Sequence, residues 1–208
     1  MIIYNVQNNG PSNQLVIEVI NDMVFVEPTT IAYISGNLTL NANNGNWLNR
    51  IQSYFIGKKF FKPSFEGSGK IYMHATLGCY HKFTLKENEE LVLTTKAFIA
   101  CRNSVTITPV ISLSLKNFIS GMPIVKTVIK GTGSVMVLMP GPIVKHELKD
   151  DRFVAYESDI AAYSNQITVT RNFAGKGWLD IAHKMVQVYS GTGTIYFSPN
   201  PNKDSKKF

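Results

Sequence analysis

At 208 residues, 44% of them hydrophobic and 17% charged, the chain has material for a sizeable core and too little charge for a disordered polymer. No apolar run reaches the roughly 20 residues that a membrane helix needs, and two cysteines, Cys79 and Cys101, are too few for a disulfide framework or a zinc site. The net charge of +7 permits an anionic partner without demanding one.

The first ten residues, MIIYNVQNNG, contain no basic n-region and no Arg-rich amphipathic stretch, so a chain made and kept in a cytoplasm is expected. Next comes the segment that organises the whole sequence. Residues 24–40 (VFVEPTTIAYISGNLTL) align without a gap with 91–107 (LVLTTKAFIACRNSVTI) and 153–169 (FVAYESDIAAYSNQITV). Each copy closes on a threonine between two aliphatic residues, at Thr39, Thr106 and Thr168. Strand side chains alternate, which predicts an aliphatic core face and a threonine-bearing outer face. Self-similarity on this period predicts one body of three similar β units.

After the first copy, Trp47, Leu48, Ile51 and Phe55 fall at helical spacing and predict a short amphipathic helix over 46–55. Residues 115–119 and 178–185 sit at equivalent points and are expected to form shorter helical turns. Lys58, Lys59 and Lys62 follow, interleaved with Phe60 and Phe61.

A second element keeps pace with the first. Gly67-Ser68-Gly69, Gly131-Thr132-Gly133 and Gly191-Thr192-Gly193 each open an apolar alternation, and between the two elements GCYHKFTLK (78–86) matches GPIVKHELK (141–149). The glycine pairs have no third glycine and no βαβ setting, so a bulge, a bend or a close backbone approach is expected rather than a dinucleotide cradle. The stretch before residue 24 has no glycine pair, and no segment follows the last pair. The expectation is therefore that residues 189–198 complete the first unit and close the three units into a ring, removing exposed sheet edges. On that reading 1–198 is a single domain with subdomains 1–62 plus 187–198, 63–125 and 126–186, followed by a mobile tail over 199–208.

The run Gly57-Lys58-Lys59-Phe60-Phe61, the stretch from Phe65 to Tyr72, then Gly78, Leu85 and the second segment copy carry a resemblance, as do residues 131–138, 153–163 and the glycines at 191 and 193. Over residues 13–198 the chain resembles the altered-inheritance-of-mitochondria family, in its twenty-fourth numbered member. That resemblance implies an all-β fold: a pseudo-threefold β-prism of three repeats related to the trp RNA-binding attenuation protein (TRAP-like, akin to a double-stranded β-helix). It implies a role in organising an assembly for the mitochondrial members, and it transfers no catalytic or ligand motif.

Enzyme chemistry finds little to stand on. Of His74, His81, His146 and His183 only His74 and His81 are near one another, and His81 and His146 are not repeated features of the units. Ser68 lacks the spacing of a nucleophile elbow, and Glu87, Glu89 and Glu90 read as a solvated turn. Cys79 and Cys101 read as small buried thiols. No catalytic, cofactor or metal-binding residue is assigned. The leading expectation is a non-enzymatic scaffold that self-associates as a homo-oligomer or organises protein partners. The alternative is binding of nucleic acid or another anionic ligand through Lys58, Lys59 and Lys62, since charge interleaved with aromatics suits single strands. Carbohydrate binding ranks third, because Trp47 and Trp178 lie in inter-unit links and read as packing anchors.

Overall fold

The computed structural model describes residues 1–41, 63–94, 97–112, 124–173 and 185–199. The helix expected at 46–55, the turns at 115–119 and over most of 178–185, the tail beyond 199, and Lys58, Lys59, Lys62, Trp47, Trp178 and His183 lie outside the described residues. Met185 is described and begins a strand.

The described chain is all-β. In order it forms β1 (Ile2–Asn9), β2 (Ser12–Val26), β3 (Ile31–Asn41), β4 (Ser64–Met73), β5 (Cys79–Leu85), β6 (Glu90–Leu93) and β7 (Phe98–Arg102). There follow β8 (Val105–Ser112), β9 (Ile124–Gly131), β10 (Gly133–Met139), β11 (Val144–Ala155), β12 (Ile160–Ser164), β13 (Thr168–Phe173) and β14 (Met185–Phe197). Single 3-10 turns stand at Pro28–Thr30 and Glu157–Asp159, and no α-helix occurs among the described residues.

Two compact units divide the chain. Met1–Glu89, Phe98–Pro109 and Lys130–Leu138 make the first, and Glu90–Ala97, Val110–Ile129 and Met139–Phe208 the second. One seven-stranded sheet runs β3-β4-β2-β7-β10-β5 with β1 added on β2, and the other runs β11-β14-β12-β6-β9-β8 with β13 added on β14. The first unit packs around Ile17, Val24, Phe65, Ile71, Met73 and Ile99. The second packs around Val92, Leu148, Ile160, Tyr163, Tyr189 and Ile195.

Alternation in the sequence explains which faces these are. Ile71 and Met73 on β4, Val135 and Val137 on β10, and Ile195 on β14 are all fully buried, as period-two spacing requires when one sheet face meets the core. Thr39, Thr106 and Thr168 are exposed, while Leu38, Val105 and Ile167 turn inward beside them. Leu40 departs from the pattern, being 55% exposed where Ile107 and Val169 are half-buried.

The expected completion of the first unit by the C-terminal strand is corrected by the pairing. β14 pairs antiparallel with β11, β12 and β13, matching Val144 with Phe197, Tyr163 with Ile195 and Thr168 with Ser190. The strand that completes the first segment copy is β4, which pairs with both β2 and β3. Each glycine strand thus joins the segment that precedes it in the chain. The physical reason is contact: Asn37 of the first copy and Ser104 of the second lie directly against Gly67 and Gly131, the first glycines of the following pairs.

One core group lacks a polar match. The Tyr4 hydroxyl on β1 is buried without a hydrogen-bond partner among the described residues, and burial above all, with Cys101 and Asp22 adding and Arg102 opposing, raises its pKa well above the ordinary value. A buried hydroxyl without a partner costs desolvation and returns nothing. Tyr4→Phe is therefore expected to be as stable as the parent or more so in chemical denaturation. A loss above about 1 kcal/mol, the size of a typical net hydrogen bond, would contradict the placement of this hydroxyl.

Candidate functional site

The residues that recur in sequence meet at one local arrangement. Where β2 passes the glycine pair of β4, Ile20 and Asn21 oppose Ser68 alone, since Val19 pairs with Gly69 and Asp22 with Gly67. Two residues against one make a β-bulge. Asn21 takes φ 46° there, its N–H donates to Ser68 Oγ at 3.0 Å, and Ser68 Oγ donates back to Asn21 Oδ1 at 2.9 Å. On β11, Lys149 and Asp150 oppose Thr192, Asp150 takes φ 56°, and its N–H donates to Thr192 Oγ1 at 3.1 Å. The hydroxyl between the glycines therefore satisfies the amide that the bulge takes out of the ladder. Ser68 Oγ is thereby engaged within the bulge both as acceptor and as donor.

In the middle copy the chain has one residue more between Leu85 and Glu89, and a turn replaces the bulge. Asn88 carries the positive φ of 63°, Glu89 N–H donates to the Lys86 carbonyl at 3.1 Å, and Lys86 N–H donates to Glu89 Oε2 at 3.0 Å. The expected solvated run at 87–90 is this turn, with one of its carboxylates closing it.

The segment copies also pair with one another, and the register repeats. Val24, Phe25 and Val26 on β2 face Arg102, Cys101 and Ala100 on β7. Leu91, Val92 and Leu93 on β6 face Ser164, Tyr163 and Ala162 on β12, the same positions of the aligned segments. Flanking bonds match as well: Glu27 N–H donates to Ile99 O at 2.7 Å, and Thr94 N–H to Ala161 O at 3.2 Å. At the other end Asn103 N–H donates to Met23 O and Asn165 N–H to Glu90 O, both at 3.3 Å. Both junctions are dry at their centres, where Val24, Val26, Ala100, Val92 and Ala162 are buried.

Charged and polar side chains clamp the rim of each junction. Arg102 Nη2 lies 3.0 Å from Asp22 Oδ2, which is also 3.0 Å from the Met1 ammonium. Asn165 Nδ2 donates to Glu90 Oε2 at 2.9 Å. Burial pushes the Asp22 carboxyl up, but the Met23 N–H, the ammonium and Arg102 together hold it below its ordinary 3.8. A depressed carboxyl pKa stabilises the fold above the ordinary value, and that contribution fades as pH falls through the lowered one. Asp22→Asn is expected to cost about 1 kcal/mol or less at pH 7, since Arg102 is half exposed and solvent screens the pair. The gap from the parent should close in urea denaturation run progressively below pH 3.8, and a gap that widens in acid would refute the assignment.

The sequence alone missed this clamp, although a signal was present. Asp22 and Glu90 stand two residues and one residue before a segment copy, and their partners Arg102 and Asn165 are the twelfth and thirteenth residues of the copy that follows. The other candidates are dispersed. His74 is exposed and its N–H donates to Thr30 O at 2.8 Å, while His146 is exposed with its ring 5.2 Å from Phe153. His81 lies half-buried on β5. Cys101 is buried as expected, with its thiol 4.0 Å from the Val105 carbonyl oxygen, but Cys79 is only half-buried; neither is in a disulfide. Among the described residues no three His, Cys, Asp or Glu side chains gather as a metal site, and no helix is long and apolar enough to cross a membrane.

Comparison with known proteins agrees with the fold. No curated protein matches the chain. The crystal structure of protein SPYM3_0169 from Streptococcus pyogenes superposes with a TM-score of 0.73 at 19% identity, over 95% of this chain and 93% of that one. At that identity the likeness speaks for the fold alone. The family model for mitochondrial biogenesis AIM24 matches residues 4–200, nearly the whole length, and the chain belongs to that family.

Proposed function

We propose that this protein is a non-enzymatic scaffold that acts by self-association, built as a pseudo-threefold prism of three TRAP-like repeats. Support for the threefold arrangement comes from the register that recurs at the β2·β7 and β6·β12 junctions. The observation that carries the scaffold reading is apolar exposure on two terminal strands: Tyr33 is 55% and Ile34 40% exposed on β3, and Val154 is 58% exposed on β11. Large apolar side chains gathered on a strand edge are a template for pairing with another chain. The recurring residues are glycine, threonine and aliphatics, which build strands and junctions and supply no reacting group.

The test is light scattering coupled to size exclusion on untagged protein, with absorbance recorded at 260 and 280 nm. A species several times the 23.2 kDa chain, free of nucleic acid, is the expected result. A single-chain mass at every concentration would sink the scaffold reading, and a peak carrying nucleic acid would favour the alternative at Lys58, Lys59 and Lys62.

A further inference from the structure

Strand β1 stands outside the repeat. Val19 on β2 pairs with Gly69 and Leu148 on β11 with Gly193, and Leu85 ends the matching run on β5, so these three strands hold equivalent places before the segment copies. Among the described residues only β2 receives an added strand from outside the repeat, and that strand is β1. The charges differ as well. β5 carries Lys82, and the first half of β11 carries Lys145, Glu147 and Lys149, residues of the kind that blunt an edge strand. β1 reads IIYNVQNN, with no charge, proline or glycine. A run of that composition is a template for further pairing.

The pairing of β1 shows which of its backbone groups are left over. The Met1 ammonium donates to the Ile20 carbonyl at 2.6 Å, and Ile20 N–H donates to the Met1 carbonyl at 2.9 Å, a mutually bonded pair. Bonded pairs recur at every second residue of an antiparallel ladder, and β1 keeps register with β2 without a break from Ile2 opposite Val19 to Asn9 opposite Ser12. Ile3, Asn5 and Gln7 therefore direct their N–H and C=O groups at β2, and Ile2, Tyr4, Val6 and Asn8 direct theirs away from it. Among the described residues β1 pairs with β2 alone, and both strands belong to the first unit. Ile2 and Tyr4 pack on the first core, whereas Val6 on the same face is 42% exposed, and Asn5 and Gln7 on the other face are exposed.

We propose that the outer edge of β1 pairs antiparallel with β1 of a second molecule of this chain. One register uses every outward group: Ile2 of one molecule faces Asn8 of the other, Tyr4 faces Val6, and Asn5 faces its own copy at the two-fold axis. The strand is self-complementary in that register. Tyr4 covers the exposed Val6 on the apolar face, and on the other face Asn5 meets Asn5, each side chain offering donors and an acceptor. The absence of charge is what favours a second copy as the occupant. Two chains of net charge +7 repel each other, and an uncharged strand lets them approach without setting like charges opposite one another. The same edge is used twice, so the contact is isologous and joins chains in pairs. This rests on the self-association reading and names one surface for it.

At the axis Asn5 falls on a non-bonded pair, where Cα atoms approach to about 4.5 Å, within disulfide range. Asn5→Cys in a Cys79→Ser chain is therefore expected to give, on oxidation, a disulfide-linked band at twice the chain mass. Gln7→Cys in the same chain should not link by itself, since it faces Ile3 and not its own copy, but mixed with Ile3→Cys it should. A band from Gln7→Cys alone as strong as that from Asn5→Cys overturns the register. Asn5→Lys and Asn5→Glu test the seam without a covalent trap, because the Asn5 side chain is exposed and circular dichroism should report an unchanged fold. Each variant alone sets like charges face to face and is expected to halve the mass of the parent species in light scattering; an equimolar mixture of the two should restore it. If the parent assembles and both variants assemble equally, this seam is wrong while self-association stands. If the parent keeps a single-chain mass at every concentration, the self-association reading has failed, and this seam with it.

Discussion

Gly67→Ala is expected to cost about 4 kcal/mol or more, a size reached only by a few mechanisms such as backbone strain combined with steric overlap. Gly67 has φ +126°, and a Cβ built there would stand 2.3 Å from the carbonyl oxygen of Asn37. Backbone strain at such a φ costs about 1–3 kcal/mol by itself, and the overlap then forces Asn37 of β3 away from β4. Gly131 meets the Ser104 carbonyl oxygen at the same 2.3 Å and should behave alike. Gly191 separates the two causes. Its φ of +116° is similar, yet the nearest atom to an added Cβ is the Gln166 carbonyl oxygen at 4.0 Å. Gly191→Ala should therefore lose only the strain, about 1–3 kcal/mol. Thermal and urea denaturation of the three variants checks the order, and equal losses for Gly67→Ala and Gly191→Ala would show that the close approach contributes nothing.

Ile71→Ala and Ile195→Ala are expected to be the most damaging core truncations, each at about 2–5 kcal/mol from lost transfer energy and the cavity left behind. Both isoleucines are fully buried, four residues after the first glycine of their pairs, and each sits in the core of its own unit. Ile71 faces Ile34 on β3, and Ile195 faces Tyr163 on β12, at matching segment positions. The exposed comparison is Leu77→Ala, which removes a side chain already 77% in solvent and should change stability by no more than about 0.5 kcal/mol. Urea denaturation followed by far-ultraviolet circular dichroism reads all three. A loss at Ile71 or Ile195 comparable to that at Leu77 would contradict the two cores described here.

The local content of the fold was legible because it depends on neighbours in the chain. Alternation alone placed Ile71, Met73, Val135, Val137 and Ile195 on buried faces, and the threefold glycine pairs pointed to close backbone approach. The order of assembly was not legible. A glycine pair carries no mark of whether the segment before it or after it is its partner, and the wrong choice sent β14 to the first copy when it pairs with β11 through β13. The candidate surface shows the same division. Lys58, Lys59 and Lys62 stood out by composition, whereas Arg102 and Asp22, 80 residues apart, were joined only by the β2·β7 register.

What the sequence determined by itself was the all-β class, the buried face of the strands that follow the glycine pairs and the family, since period-two alternation and recurring glycines act over a few residues and survive any arrangement of the whole. Only the tertiary structure decided which segment copies meet. Pairing between copies is set by backbone hydrogen bonds, whose donors and acceptors are the same at every residue and so leave no trace in side-chain identity. The first copy meets the second through β2 and β7, and the second meets the third through β6 and β12, a choice the three near-identical segments do not record.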